Sequence, residues 1–213
     1  MVSCNTGQQP TTESRASPNV QSLNILANLG PIPPGSSFTY TFRASSYGTT
    51  WYHSHFSLQY SNGLIGPLVV NGPSSANWDI DLGPLGVTDY YHTPAFTLYY
   101  AERSHPGSAD NALFNGLNTW NLTPTGPVVG QKYEMKFTPG KKHRIRLINM
   151  STDSHFKFSI DQHVMTVQAA DFVAIEPYQT TVLNIFIGNT PIHSLTANKR
   201  ATIRYHRRGR SRR

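Results

Sequence analysis

The chain has 213 residues, a formal net charge of +7 at pH 7, 38% hydrophobic residues and only 14% charged ones. That composition excludes a solvated disordered chain, one cysteine excludes a disulfide-stapled scaffold, and no apolar run reaches the ~20 residues a membrane helix needs. Sixteen Gly and 15 Pro beside 11% aromatics point to short strands joined by turns, an all-β protein.

The charge is unevenly placed. Eight of the 18 basic residues lie from Lys199 onward with no acid among them, which leaves residues 1–198 with ten bases against eleven acids. Residues 189–213 therefore read as a basic, disordered tail, since like charges repel and bury nothing. Nucleic acid is not an expected partner on the tail alone. A competing function is a non-catalytic interaction protein that binds polyanions through these arginines.

In chain order, residues 1–30 are polar and read as unstructured, and they lack the basic start and apolar core of a secretory signal. From residue 31 the texture changes: Phe38, Tyr40 and Phe42 alternate with Thr39, Thr41 and Arg43, the period of a strand. A second strand is expected over 49–56, and an apolar run over 64–70 closes a partial domain at 31–72. Residues 73–87, with Gly-Pro breaks, read as a linker. Alternation resumes over 88–188, in Tyr133, Met135 and Phe137, in Ile145 and Leu147, in Phe156, Phe158 and Ile160, then at 164–170 and 182–187. Strands at this spacing predict a β-sandwich whose pattern stops at Gly188.

The densest chemistry is Trp51-Tyr52-His53-Ser54-His55. On an extended strand, residues two apart share a face with Cα atoms ~6.6 Å apart. Two such imidazoles can clamp one ion or grip two adjacent ions, and neutral imidazole suits Cu, Zn, Fe or Ni. Trp51, Tyr52 and Phe56 would supply a dry wall around them. The plainer reading is a pair of exposed or hydrogen-bonded histidines without metal.

Residues 47–70, with Trp51-Tyr52-His53-Ser54-His55-Phe56 and Gly63-Leu-Ile-Gly-Pro-Leu-Val-Val70, resemble the second copper-binding segment of multicopper oxidases, most closely the ascomycete-type laccases. Pro31-Ile-Pro-Pro-Gly35 with the strand after it is similar to the segment leading into that motif. Phe114-Asn-Gly-Leu-Asn118, Thr138-Pro-Gly-Lys-Lys-His-Arg-Ile-Arg-Leu-Ile-Asn149, His155-Phe-Lys-Phe-Ser-Ile-Asp-Gln-His163 and Asp171-Phe-Val-Ala-Ile-Glu-Pro-Tyr178 resemble the second laccase domain. The likeness is collinear over about 31–188.

The resemblance implies cupredoxin-like (plastocyanin-like) β-sandwiches, here one partial domain and one nearly complete domain lacking its last strands. It implies copper as cofactor, with O2 and phenolic small molecules as reactants and an extracellular location. His53 and His55 would correspond to ligands of the type-3 copper pair, one to each ion, with Trp51 and Tyr52 behind them. Asp153 falls where laccases carry an acidic residue in the substrate pocket, able to accept a phenol's hydrogen bond or proton; its other reading is a turn residue capping its own backbone.

The family's other paired-histidine segments and its His-Cys-His are absent. Cys4 has no flanking histidine, and the remaining histidines (His92, His105, His143, His155, His163, His193 and His206) read as surface or hydrogen-bonded residues. The expectation is a copper-binding fragment, inactive by itself, from a truncated or mis-spliced product. An active small laccase sharing ligands between chains ranks last, because it too needs the missing thiolate. Two sequons, at Asn121 and Asn149, are glycosylation candidates.

Overall fold

Strands dominate, as the alternation requires. The computed structural model describes residues 2–4, 10–11, 35–40, 43–101, 108–188, 191–196 and 203–207. Three short strands come first: β1 (Val2–Cys4), β2 (Pro10–Thr11) and β3 (Phe38–Tyr40). The hairpin β4 (Gly48–Ser54) and β5 (Ile65–Val70) follows, then the long β6 (Ile80–Tyr90) and one short helix, α1 (Ala95–Ala101). Next are β7 (Asn111–Phe114), β8 (Thr119–Asn121), β9 (Val128–Gly130) and β10 (Lys142–Asn149). The chain continues through β11 (Phe156–Ile160), β12 (Met165–Ala170), β13 (Val173–Thr180) and β14 (Leu183–Ile185). The last described strands are β15 (Pro191–Thr196) and β16 (Ile203–Arg207).

A six-stranded sheet in the order β13-β12-β15-β10-β6-β7 faces a three-stranded sheet, β14-β11-β16. Leu85, Val87, Ile145, Leu147, Met165 and Val167 from the first meet Phe156, Phe158, Ile160, Leu183 and Ile185 from the second, forming one apolar core. The alternation seen in the sequence is the cause, since every second residue of β11 is buried. Separately, β4 pairs with β5 and with β2, and β1 pairs with β3.

Two boundaries differ from the sequence reading. Part of the stretch read as a 73–87 linker is core: β6 runs parallel to β10, and Leu85 and Val87 are buried in it. The Gly83-Pro84 break is a bulge inside that strand, with Gly83 at φ 76° where only glycine sits without strain. The sandwich also continues past Gly188. Strand β15 lies centrally, between β10 and β12, and β16 pairs with β11. Pro191 signals a break, but a proline is tolerated as the first residue of a strand. Arg204 and Arg207 therefore belong to a ladder rather than to a loose tail, and the rest of 197–213 lies outside the described residues. The expectation for 1–30 also falls mostly outside them, apart from the paired β1 and β2.

Residues 131–138 keep the expected period without a ladder. Tyr133, Met135 and Phe137 are half-buried against the core while Lys132, Glu134 and Lys136 are exposed.

Candidate metal centre

Strand β4 places its side chains by alternation. Trp51 and His53 stand on one face with ring centroids 4.6 Å apart, and His55, just past the strand end, continues the row with its ring 6.1 Å from that of His53. Tyr60, from the following turns, closes on His53 at 5.6 Å. Tyr52 points the other way, across from Gly66, where any side chain would collide with the Tyr52 ring. Of the aromatic wall read from sequence, Trp51 lies beside the imidazoles, Tyr52 packs behind the strand, and Phe56 is 53% exposed.

The nitrogens are partly assigned by their neighbours. His53 Nδ1 lies 3.1 Å from the Ser54 carbonyl oxygen. A carbonyl only accepts, so Nδ1 is the donor of this contact, and in the neutral ring that tautomer leaves the Nε2 lone pair for a metal. Between the two histidines Ser54 is buried, and its hydroxyl donates to Gln59 Oε1 at 2.6 Å and accepts from the Phe56 N–H at 3.2 Å. Those bonds fix the turn that carries His55. The two rings lie at an interplanar angle of 29°.

A second cluster organises Asp153. The buried Asp89 carboxylate accepts three successive backbone N–H groups, from Thr152 at 2.8 Å and from Asp153 and Ser154 at 2.9 Å each. Asp153 itself is exposed at the tip of that turn. Two residues on, His155 stacks on Phe186 at 5.7 Å, and its Nε2 is buried with no hydrogen-bond partner among the described residues. Asn149, one of the two sequons, is buried with its amide donating to the Ser154 and Ile185 carbonyls at 2.9 and 3.1 Å. A glycan there would have to break both bonds, whereas Asn121 is exposed.

The third cluster joins the hairpin to the sandwich. Arg144 and Arg146 both reach Asp81 Oδ2, and the Arg144 guanidinium lies 3.4 Å over the Trp78 ring. Burial alone would raise the Asp81 pKa. The bonds from Arg144 and the Gly83 N–H, with the fields of both arginines, outweigh it and hold the carboxyl below its ordinary value. Burial, and then the Arg144 charge, draw the Arg146 pKa below the usual guanidinium range against the opposing pull of Asp81.

The multicopper oxidase family profile matches residues 81–208 and a second multicopper oxidase profile matches 26–75. The chain belongs to the multicopper oxidase family. It is 47% identical to Laccase-2 of Botryotinia fuckeliana over 163 residues, which are 74% of this chain and 28% of that protein. It is 50% identical to dihydrogeodin oxidase of Aspergillus terreus over 165 residues, 74% of this chain and 27% of the relative. The crystal structure of the laccase from Botrytis aclada superposes with a TM-score of 0.74 at 46% identity, covering 79% of this chain and 32% of that one. The chain thus spans about 28% of the length of such a curated relative.

Membership of the multicopper oxidases implies copper, and neutral imidazole nitrogens such as His53 Nε2 suit that metal. Among the described residues no three His, Cys, Asp or Glu side chains gather into a site that could hold a metal ion. His53 and His55 are brought together; His92, His143, His155 and His163 are each held elsewhere, against Trp120, Phe137, Phe186 and the Asp161 carbonyl. Residues 105, 193 and 206 have no described side chains. No helix among the described residues is long and apolar enough to cross a membrane. The family match to residue 208 takes in β15 and β16.

Proposed function

We propose that the chain carries one histidine pair of a laccase-type copper centre, His53 and His55 each serving one ion of a type-3 pair. The parent reaction is the one-electron oxidation of phenols or aromatic amines coupled to reduction of O2 to water, in a secreted enzyme. Copper, when bound, supplies the one-electron chemistry. The protein's part is to present His53 Nε2 with its tautomer set by the Ser54 carbonyl. Trp51 and Tyr60 flank the ring and limit water beside it. Asp153, held out on the turn that Asp89 fixes, accepts the hydrogen bond or proton of a phenol hydroxyl. The observation that carries the reading is the side-by-side placing of His53 and His55 in one row beside Trp51, with ring centroids 6.1 Å apart.

Two imidazoles do not complete a coordination shell, so these 213 residues alone bind copper weakly and do not turn over O2. The test is a Cu(II) titration of the chain followed by electron paramagnetic resonance, with His53→Ala and His55→Ala in parallel, and O2 uptake with a simple phenol. Nitrogen coupling lost in each variant, with no O2 uptake, is the expected result. Copper binding indifferent to both substitutions would remove the site, and phenol-dependent O2 uptake by the wild-type chain would remove the claim of inactivity.

A further inference from the structure

Among the described residues, the hairpin that bears His53 and His55 sends no side chain into the apolar core of the sandwich. Its buried positions are Gly48, Thr49, Ser54 and Gly66, and no residue of β4 or β5 belongs to the apolar core. Among the described contacts, the loop end of the hairpin is held by Asn62 Oδ1, which accepts from the Ala95 N–H at 2.9 Å, while at the open end three side-chain bonds converge on one guanidinium. Arg146, on β10 and 4% exposed, donates from Nη1 to Thr49 Oγ1 at 3.1 Å. Its Nη2 donates to Asn71 Oδ1 at 3.2 Å and Asp81 Oδ2 at 3.3 Å. Thr49 lies at the start of β4 and Asn71 just beyond the end of β5, and the register pairs Thr49 with Val69. The guanidinium therefore grips both strands at the open end of the hairpin. Beside it the Thr49 N–H donates to the Asp171 carbonyl at 3.4 Å, and a side chain at Gly48 would meet that oxygen at 2.5 Å.

We propose that Arg146 is the positioning residue of the histidine strand: a side chain of the second domain sets where His53 and His55 stand. A planar guanidinium with five donors holds several acceptors in a fixed fork, which an ammonium cannot do. His53 lies four residues beyond Thr49, about 13 Å along the strand, so a small tilt at the gripped end is magnified at the imidazoles. The proposal rests on the reading of His53 and His55 as copper ligands only for its functional consequence; the mechanical claim stands apart from it.

The experiment uses the full chain with Arg146→Lys, which keeps the charge and loses the fork. Thr49→Val and Asn71→Ala each remove one acceptor and serve if the buried substitution fails to fold. Hydrogen exchange without metal is expected to show the Trp51–Ser54 amides exchanging about tenfold faster in Arg146→Lys, with Phe156–Ile160 unchanged. Cu(II) titration, read by quenching of tryptophan emission, is expected to show affinity weakened about three- to tenfold, because ligand placement governs metal affinity. Thr49→Val and Asn71→Ala should move both readings in the same direction by less. Wild-type exchange in β4 for all three variants overturns the proposal, as does equal acceleration in β11, which marks global loosening. Unchanged His53-dependent copper affinity despite faster β4 exchange overturns it too. Should wild-type copper binding not depend on His53, the copper reading falls, and the exchange data still decide the role of Arg146.

Discussion

The sandwich and the histidine hairpin are stabilised in opposite ways. In the sandwich, Phe156, Phe158, Leu147 and Ile145 are at most 1% exposed and lock two sheets together. In the hairpin most residues are half-buried, His55 and Phe56 face solvent, and the strand paired on the outer side of β4 is only two residues long. The scaffold thus draws its stability from packed apolar area, while the two histidines stand on an element kept in place, among the described contacts, by hydrogen bonds and close backbone approach. Side chains on a lightly packed strand can shift without unpacking a core.

Substitutions that separate the two regions sharpen the contrast. Phe158→Ala empties the centre of the core and should cost about 3–5 kcal/mol, measured by denaturant unfolding with loss of protection in both sheets. Gly48→Ala strikes the other region. It places a Cβ on the Asp171 carbonyl at a backbone φ of 151°, and should cost about 1–3 kcal/mol, with amide shifts confined to β4, β5 and the turn at 171–172. Chemical-shift changes that reach β11 would erase the distinction between the regions.

The smallest effect is one of pH. His143 is fully buried at the start of β10, its Nε2 accepting from the Thr138 N–H at 3.0 Å. Burial lowers its pKa below 6.5, against the Lys141 backbone bond and the Asp79 charge that oppose the shift. The unfolded chain therefore takes up this proton first. Stability is full above the unfolded value of 6.5 and is lost as pH falls from there through the depressed folded value. Melting temperature against pH should decline over that window, and His143→Gln should flatten the decline.

Much of this was legible in the sequence because it is local. The strand period of Phe156, Phe158 and Ile160 encodes the buried face of β11, and the spacing of His53 and His55 encodes their shared face. What stayed hidden depends on residues far apart. Arg146 meets Thr49, Asn71 and Asp81, and Asp89 meets Thr152–Ser154, across more than sixty residues in every case. No periodicity announces such meetings. Strand β15 was masked by Pro191 and by a mixed apolar-polar run, and β6 by Gly83-Pro84, since turn residues read as breaks whether they end a strand or bend it. Tyr52 shows the converse limit: adjacency to His53 in sequence put it among the site's neighbours, and strand alternation turns it to the opposite side.

The parallel pairing of β6 with β10 bears on how this molecule could be recombined. The segment that leaves the hairpin is woven directly into the larger sheet, between β10 and the edge strand β7, and on the way Ser74 and Ser75 bond Gln168 at 2.7 Å each. A designer grafting the imidazole-bearing unit onto a foreign barrel finds no neutral splice site here. Severing the chain anywhere from Asn71 to Tyr90 either frees the guanidinium grip or pulls a thread from the sheet's interior, so a viable chimera must transplant both lobes together.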